Sequence, residues 1–210
     1  PVISRKWFNS NWGGEAIVIE TNSVLDGFII THAPDSKGIG VRFNSLIGNR
    51  RCRMINCVIR GNEGDDRYNR QGGGIYNASA NLDLVHCTIT GNRSSRIGRG
   101  ILNYGNLNLI NCIVWGNTGA AAQEIYSSLG TVNATSSIVA NGEHGGINEN
   151  PQLTPAGWLK SSSPAINRSS TARVAASLVD IHGEARPVAG NTPDLGADEF
   201  KDTNGIADGD

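Results

Sequence analysis

Leu107-Asn108-Leu109-Ile110-Asn111-Cys112-Ile113-Val114-Trp115-Gly116-Asn117 is a unit that the chain repeats. Residues 82–92 read LDLVHCTITGN, residues 52–62 read CRMINCVIRGN and residues 132–142 read VNATSSIVANG. Residues 22–32, NSVLDGFIITH, form a degraded copy. Placing Gly27, Cys57, Cys87, Cys112 and Ser137 in one register gives spacings of 30, 30, 25 and 25 residues. A near-fixed period in that range is the signature of a solenoid.

Each unit also states its own shape. Leu82, Leu84, Cys87 and Ile89 alternate with Asp83, Thr88 and Thr90, and the alternation breaks once, at Asn56, His86, Asn111 and Ser136. Period two with a single interruption means two short strands meeting at a corner. The preceding segments Gly40–Phe43, Gly74–Asn77 and Gly100–Asn103 supply a third strand. The expected fold is all-β: a right-handed, single-stranded parallel β-helix of about five coils with a C-terminal capping segment. A leucine-rich repeat shares the period but usually needs a helical return arm. The returns here, GNEGDDRYNRQGG at 61–73 and NRSSRIG at 92–98, carry no helical apolar stripe.

Four regions follow from where the period holds: an irregular start at 1–14, the β-helix at 15–142, a Pro-, Ser- and Gly-rich segment at 143–200 and an acidic tail at 201–210. A stacked array leaves unpaired backbone at its ends, and 143–200 is the natural cover. Its Leu153, Trp158, Leu159, Ile166, Leu178, Ile181, Leu195 and Phe200 supply apolar anchors. Phe28, Val58, Ile113 and Ile138 face outward by parity and are apolar, so the same segment is expected to dock along the third strand. By the same parity Trp115 packs under that segment, with stacking on a sugar ring as the alternative. His86 reads as a hydrogen-bonding substitute within an asparagine ladder. The chain opens at Pro1 without a leader-like stretch and reads as a trimmed or mature piece of something longer.

Cys57, Cys87 and Cys112 share one repeat position, which reads as a ladder of small buried hydrophobes; a disulfide between adjacent coils is the alternative. No CxxC pair suggests zinc. The net charge of −1 gives no electrostatic reason to expect nucleic acid, and no stretch is long and apolar enough to span a membrane. The 38% hydrophobic content and 27 glycines suit a thin core with many tight turns.

Returns at equivalent places stack into one surface, and function concentrates on such loops. Coil two offers Glu63, Asp65, Asp66, Arg67, Tyr68 and Arg70, coil three Arg93, Arg96 and Arg99, and coil four Gln123 and Glu124. Tyr76, Arg42 and Leu102 point outward beside them, with Tyr104.

The repeats resemble right-handed parallel β-helix proteins of the pectate-lyase-like superfamily, with Asn at the bend and Gly-Asn after the third strand. A second resemblance runs from Asn150-Pro151 through Ser162-Ser163-Pro164-Ala165-Ile166-Asn167 and Asp180-Ile181-His182-Gly183 to Pro193-Asp194-Leu195-Gly196-Ala197-Asp198-Glu199-Phe200. It is similar to the C-terminal module of bacterial surface proteins called choice-of-anchor Q. Together they imply an exported bacterial protein, extracellular or on the cell surface, acting on or binding polysaccharide as a monomer. The first resemblance implies lyase chemistry, in which a base removes the uronate C5 proton while calcium or cations neutralise the adjacent carboxylate. Asp66, Arg96 and Arg99 are then the catalytic candidates. Tyr68, Arg70, Tyr76, Arg96 and Arg99 are the substrate-binding candidates, and Asp65 and Asp66 would hold Ca2+. A glycoside hydrolase would instead pair Asp66 with Glu63 or Asp35, about 5–9.5 Å apart. The tail KDTNGIADGD resembles one calcium-binding loop of a type-3 thrombospondin-like repeat, through Asp202, Asn204 and Asp208, although the full D-x-D-x-D-G loop is absent. Two alternatives stay open: acid and base on neighbouring loops form exposed ion pairs, and the chain is a non-catalytic structural or adhesive module.

Overall fold

The structure, a computed structural model, describes residues 16–19, 22–31, 38–43, 51–64, 72–134, 136–170, 179–186 and 192–200. They form a parallel β-solenoid. The first sheet stacks Ile17–Ile19, Val41–Phe43, Ile75–Asn77, Ile101–Asn103 and Ile125–Ser127. The second stacks Ser23–Asp26, Arg51–Ile55, Asn81–Val85, Asn106–Ile110 and Val132–Asn133. The third stacks Ile29–Ile30, Val58–Arg60, Thr88–Thr90, Ile113–Trp115 and Ile138–Val139. Five rungs make four turns from one rung to the next. A fourth, short sheet was not foreseen: Glu63–Gly64, Arg93–Ser94 and Thr118–Gly119 pair at the start of the returns. The one helical element among the described residues is a distorted 3-10 turn at Ala140–Gly145.

The inward parity is as the sequence demands. Leu82, Leu84, Cys87 and Ile89 are fully buried and join Met54, Leu109, Val114 and their equivalents in one core. The corner between the second and third sheets needs a left-handed residue, and Asn56, His86, Asn111 and Ser136 adopt φ of 49°, 47°, 56° and 49°. Asparagine tolerates this region better than most residues, and glycine best. The same rule corrects the register of the first copy. Ile29 pairs with Val58, which puts Gly27 at φ 72° on the corner and Phe28 over the cysteine column. The cysteine position therefore does not require a small residue, and the outward residue of the first rung is the exposed Ile29 rather than Phe28.

All four cysteines are free thiols, and all are buried. Cys57, Cys87 and Cys112 stack as expected, with the Cys87 amide 3.4 Å from the Cys112 sulfur. The Cys87 and Cys112 thiols donate to carbonyls of the preceding rung at Met54 and Leu84. A hydrogen bond with Cys87 and burial push Cys57 well above the usual thiol range, and burial does the same to Cys87. Neither presents the thiolate that oxidation requires.

Asparagines bind rung to rung. Asn62 donates to Asn92 at 2.9 Å and Asn92 to Asn117 at 2.9 Å. The buried carboxylate of Glu124 closes this column by accepting from the Asn117 side chain at 2.7 Å. Asn77, Asn103 and Ser127 make a second column on the first sheet. Glu143, on the 3-10 turn, then caps the last strand by accepting the amides of Glu124 and Ile125 at 3.1 and 2.9 Å. So the open end is met by this turn together with Ile147, which bridges to Ile138 of the last rung, and the segment beyond runs elsewhere.

That segment lies along the third sheet. Ile113 and Ile138 pack with Leu159, Ala165 and Leu195, and Val58 packs with Trp158 and Ala197. Gly196, at φ 90°, donates its amide to the Asn111 carbonyl at 2.8 Å. A β-carbon there would lie 2.7 Å from the Thr88 hydroxyl, so only glycine lets the backbone approach this closely.

Candidate functional site

Three arrangements outside the core carry chemistry. The first is the outer face of the first sheet. Strand register sets Arg42, Tyr76, Leu102 and Tyr126 in one outward column. The Arg42 guanidinium carbon lies 5.0 Å from the centre of the Tyr76 ring, a cation–π distance. Tyr104, just past the next strand, meets Tyr76 edge to face with centroids 5.9 Å apart and planes at 83°. Partial burial, with the phenols of Tyr76 and Tyr126 nearby, pushes Tyr104 above its ordinary range; Arg96 pulls it back. Three half-buried tyrosines on three consecutive rungs are thus flanked by Arg42 and Arg96. At the end of this face a recess of about 250 Å³ is lined by Gln123, Tyr126, Ser127, Glu143 and His144.

Leu102 departs from its expected role. It is fully buried, because the returns bring Gly72 and Gly98 over it, where a β-carbon would lie 3.0 Å from its atoms. It forms a floor between tyrosines. Tyr126, which sequence reasoning missed, takes the next place in the column. Its signal was the match of Ile125-Tyr126-Ser127 to Ile101-Leu102-Asn103, one rung beyond the copies compared.

Of the sequence candidates, Tyr76, Arg96 and Arg99 lie on described rungs. Arg96 is exposed near Tyr104, while half-buried Arg99 sits close enough to act on the buried Glu124 carboxyl. Arg99 therefore lies near the Glu124 end of an asparagine column. Asp35, Asp65, Asp66, Tyr68, Arg70, Asp202, Asn204 and Asp208 lie outside the described residues. Glu63 faces Arg93 across the short fourth sheet at 3.7 Å, with the arginine side chain 65% exposed. Arg53 and Asp83 do the same on the second sheet. Glu63 with Arg93 is an exposed ion pair between neighbouring returns, and Arg53 with Asp83 is one between strands.

The second arrangement is a recess of about 460 Å³ between the third sheet and the docked segment. Thr90, Trp115, Asn150, Gln152, Thr154 and Lys160 line it. Trp115 is half-buried and packs against the apolar cluster under the segment, as expected.

The third is ionic and lies where the segment meets the corner column. Arg186, fully buried, donates to Glu199 at 2.7 Å, to the Gly196 carbonyl at 2.9 Å and to Asn56 at 3.4 Å. Burial raises Glu199 to about 7 and lowers Arg186, so desolvation outweighs the pair's attraction on both partners. His86 sits in the same column with its Nε2 3.2 Å from the Asn111 amide nitrogen, as the ladder reading expects. An amide N–H donates there, which leaves the proton on Nδ1. Burial, then the nearby Arg186 charge, depresses His86 to about 3, so it is neutral. Nothing in the sequence pattern linked Arg186 to Asn56, 130 residues earlier. Comparison with protein-family models, with curated proteins and with solved structures finds no match for this chain.

Proposed function

We propose that the chain is an exported bacterial β-solenoid of the pectate-lyase-like kind that binds acidic polysaccharide along the first sheet. Its docked C-terminal segment acts as the anchor-type module that its sequence resembles. One observation carries this reading: the tyrosine row on three successive rungs, with Arg42 on the rung before it and Arg96 near Tyr104. Rungs rise by about 4.8 Å, so Tyr76 and Tyr126 stand about 10 Å apart along the solenoid, the span of a disaccharide. Tyrosine faces stack on sugar rings and keep a polar tip in water. Arginine forks match uronate carboxylates.

Binding is favoured over turnover by how the described acids are engaged. Glu124 binds Asn117, Asp194 accepts the backbone amides of Asn167 and Phe200, and Glu63 faces Arg93. Lyase chemistry would call on Arg96 as base, and one experiment separates the two. Affinity electrophoresis in gels containing polygalacturonate or alginate, with a neutral glucan as control, should show retardation by the acidic polymers alone. Tyr76→Ala and Arg96→Ala should each weaken it about tenfold or more, and added salt should weaken it further. Absence of retardation by every polymer, or retardation indifferent to both substitutions, would remove the reading. Appearance of unsaturated ends in solution, with or without Ca2+, would replace binding by lyase activity.

A further inference from the structure

We propose that Asp180, His182 and Asp198 form a binding site for a divalent metal ion of the zinc class. The three side chains each offer a ligand atom, and these atoms all lie within 4.8 Å of one another. His182 Nδ1 is 3.2 Å from Asp198 Oδ1 and 3.7 Å from Asp180 Oδ2. Tetrahedral bonds of about 2.1 Å require donors about 3.4 Å apart, between those two separations.

The second observation is the state of Asp198. Its side chain is only 3% exposed, and Oδ1 accepts no hydrogen bond. The contact with His182 has the distance of a hydrogen bond but not its direction. A buried carboxylate oxygen left in this way is costly unless a cation meets it. Charge argues similarly. Asp180, Asp194 and Glu199 are buried within reach of one buried cation, Arg186, and the buried Asp198 lies near Asp180 and Asp194.

The surroundings hold these donors in place. Asp198 Oδ2 accepts the Leu159 amide at 2.8 Å, which turns Oδ1 toward the histidine. Asp180 Oδ1 accepts the amides of His182 and Glu184 at 2.9 and 2.8 Å, and Oδ2 accepts that of Glu199 at 3.0 Å. The His182 ring packs against Trp158, centroids 4.6 Å apart. Ligands oriented through their other atoms are how metal sites are usually built. The His182 side chain is 35% exposed, which gives an ion a way in and leaves room for water as a further ligand. One imidazole nitrogen and two carboxylates suit Zn2+ better than Ca2+, which takes six to eight oxygens. This site stands apart from the tyrosine face, and neither reading depends on the other.

The full chain, stripped with a chelator, should be titrated with Zn2+ and with Ca2+ by calorimetry, and its melting temperature read in each. Co2+ serves as a visible-absorbance probe of nitrogen and oxygen ligation. The expected result is one equivalent of Zn2+, a raised melting temperature and a Co2+ spectrum. His182→Gln should weaken Zn2+ binding at least tenfold. Because the imidazole is partly solvent-facing, that variant should keep the metal-free melting temperature of the parent, and Asp198→Asn checks the same site from its buried side. Zn2+ binding unchanged in both variants would overturn the assignment, as would Ca2+ binding in place of Zn2+ or the absence of any binding.

Discussion

The solenoid and the segment docked on it are held together by opposite means. In the solenoid, alike residues repeat and each rung templates the next: Leu82 lies beside Leu107, Leu84 beside Leu109, Asn92 beside Asn117. In the docked segment almost nothing repeats, and isolated bridges such as Leu153 with Leu159 are its only strand pairing among the described residues. Side-chain carboxylates take over from the ladder. Asp194 accepts the amides of Asn167 and Phe200, and Asp180 those of His182, Glu184 and Glu199. Glu149 and Arg168 form a bidentate pair at the surface. A periodic chain satisfies its backbone with backbone; an aperiodic one must spend side chains on it. The contrast also assigns roles to faces, since the third sheet carries the docked segment, whereas on the first Tyr76, Tyr104 and Tyr126 stay half-buried around the covered Leu102.

Breaking the joint between the two regions should have the largest effect. Arg186→Ala strands Glu199 and removes a donor from Asn56 and the Gly196 carbonyl. It should cost about 3–5 kcal/mol in urea unfolding, with hydrogen exchange rising first in 150–200 while the rungs stay protected. A loss spread evenly over both regions would mean that they fold as one unit.

His86 sharpens the comparison through pH. Its folded value of about 3 lies below the ordinary 6.5, so as pH falls the unfolded chain takes up the proton first. The contribution of neutral His86 is therefore full above about 6.5 and is lost as pH falls between 6.5 and 3. Asp198, raised to about 6 by burial, and Glu199, at about 7, act in the opposite sense and lose stability as pH rises through those values. His86→Asn keeps the corner residue and removes only the imidazole. It should recover about 3 kcal/mol of the wild-type loss between neutral pH and pH 4. An unaltered acid limb in denaturant titrations would show that His86 is not held neutral.

Within the solenoid, Asn92→Ala takes a partner from Asn62 and a bond from Asn117 in a closed column. It should cost about 1–3 kcal/mol, read from the urea midpoint. Arg93→Ala, at the exposed pair with Glu63, should change the midpoint by less than about 1 kcal/mol.

What the sequence revealed follows the same division. The corner residues, the inward columns and the apolar stripe under the docked segment were legible because a solenoid writes each constraint several times. The expected register of the first copy, with Gly27 in the cysteine column, is off by one residue. The constraint at the corner is a left-handed backbone, which glycine meets best. Tyr76, Arg42 and Tyr104 could be placed from period two alone. The burial of Leu102 could not, since it depends on where Gly72 and Gly98 pass. The Arg186–Glu199–Asn56 contact and the Asp180–His182–Asp198 group were invisible for a different reason. Each is written once, across a long separation, in a stretch whose conformation no period sets.

The accessible tyrosines of the first sheet against the covered third sheet are the contrast on which the functional reading stands. Hydrogen–deuterium exchange, with and without saturating polygalacturonate, tests it directly. Added polymer should slow exchange at 75–77, 101–104 and 125–127, and leave 88–90, 113–115 and 150–200 unchanged. Protection confined to the docked segment or the Trp115 recess, or none anywhere, would contradict it.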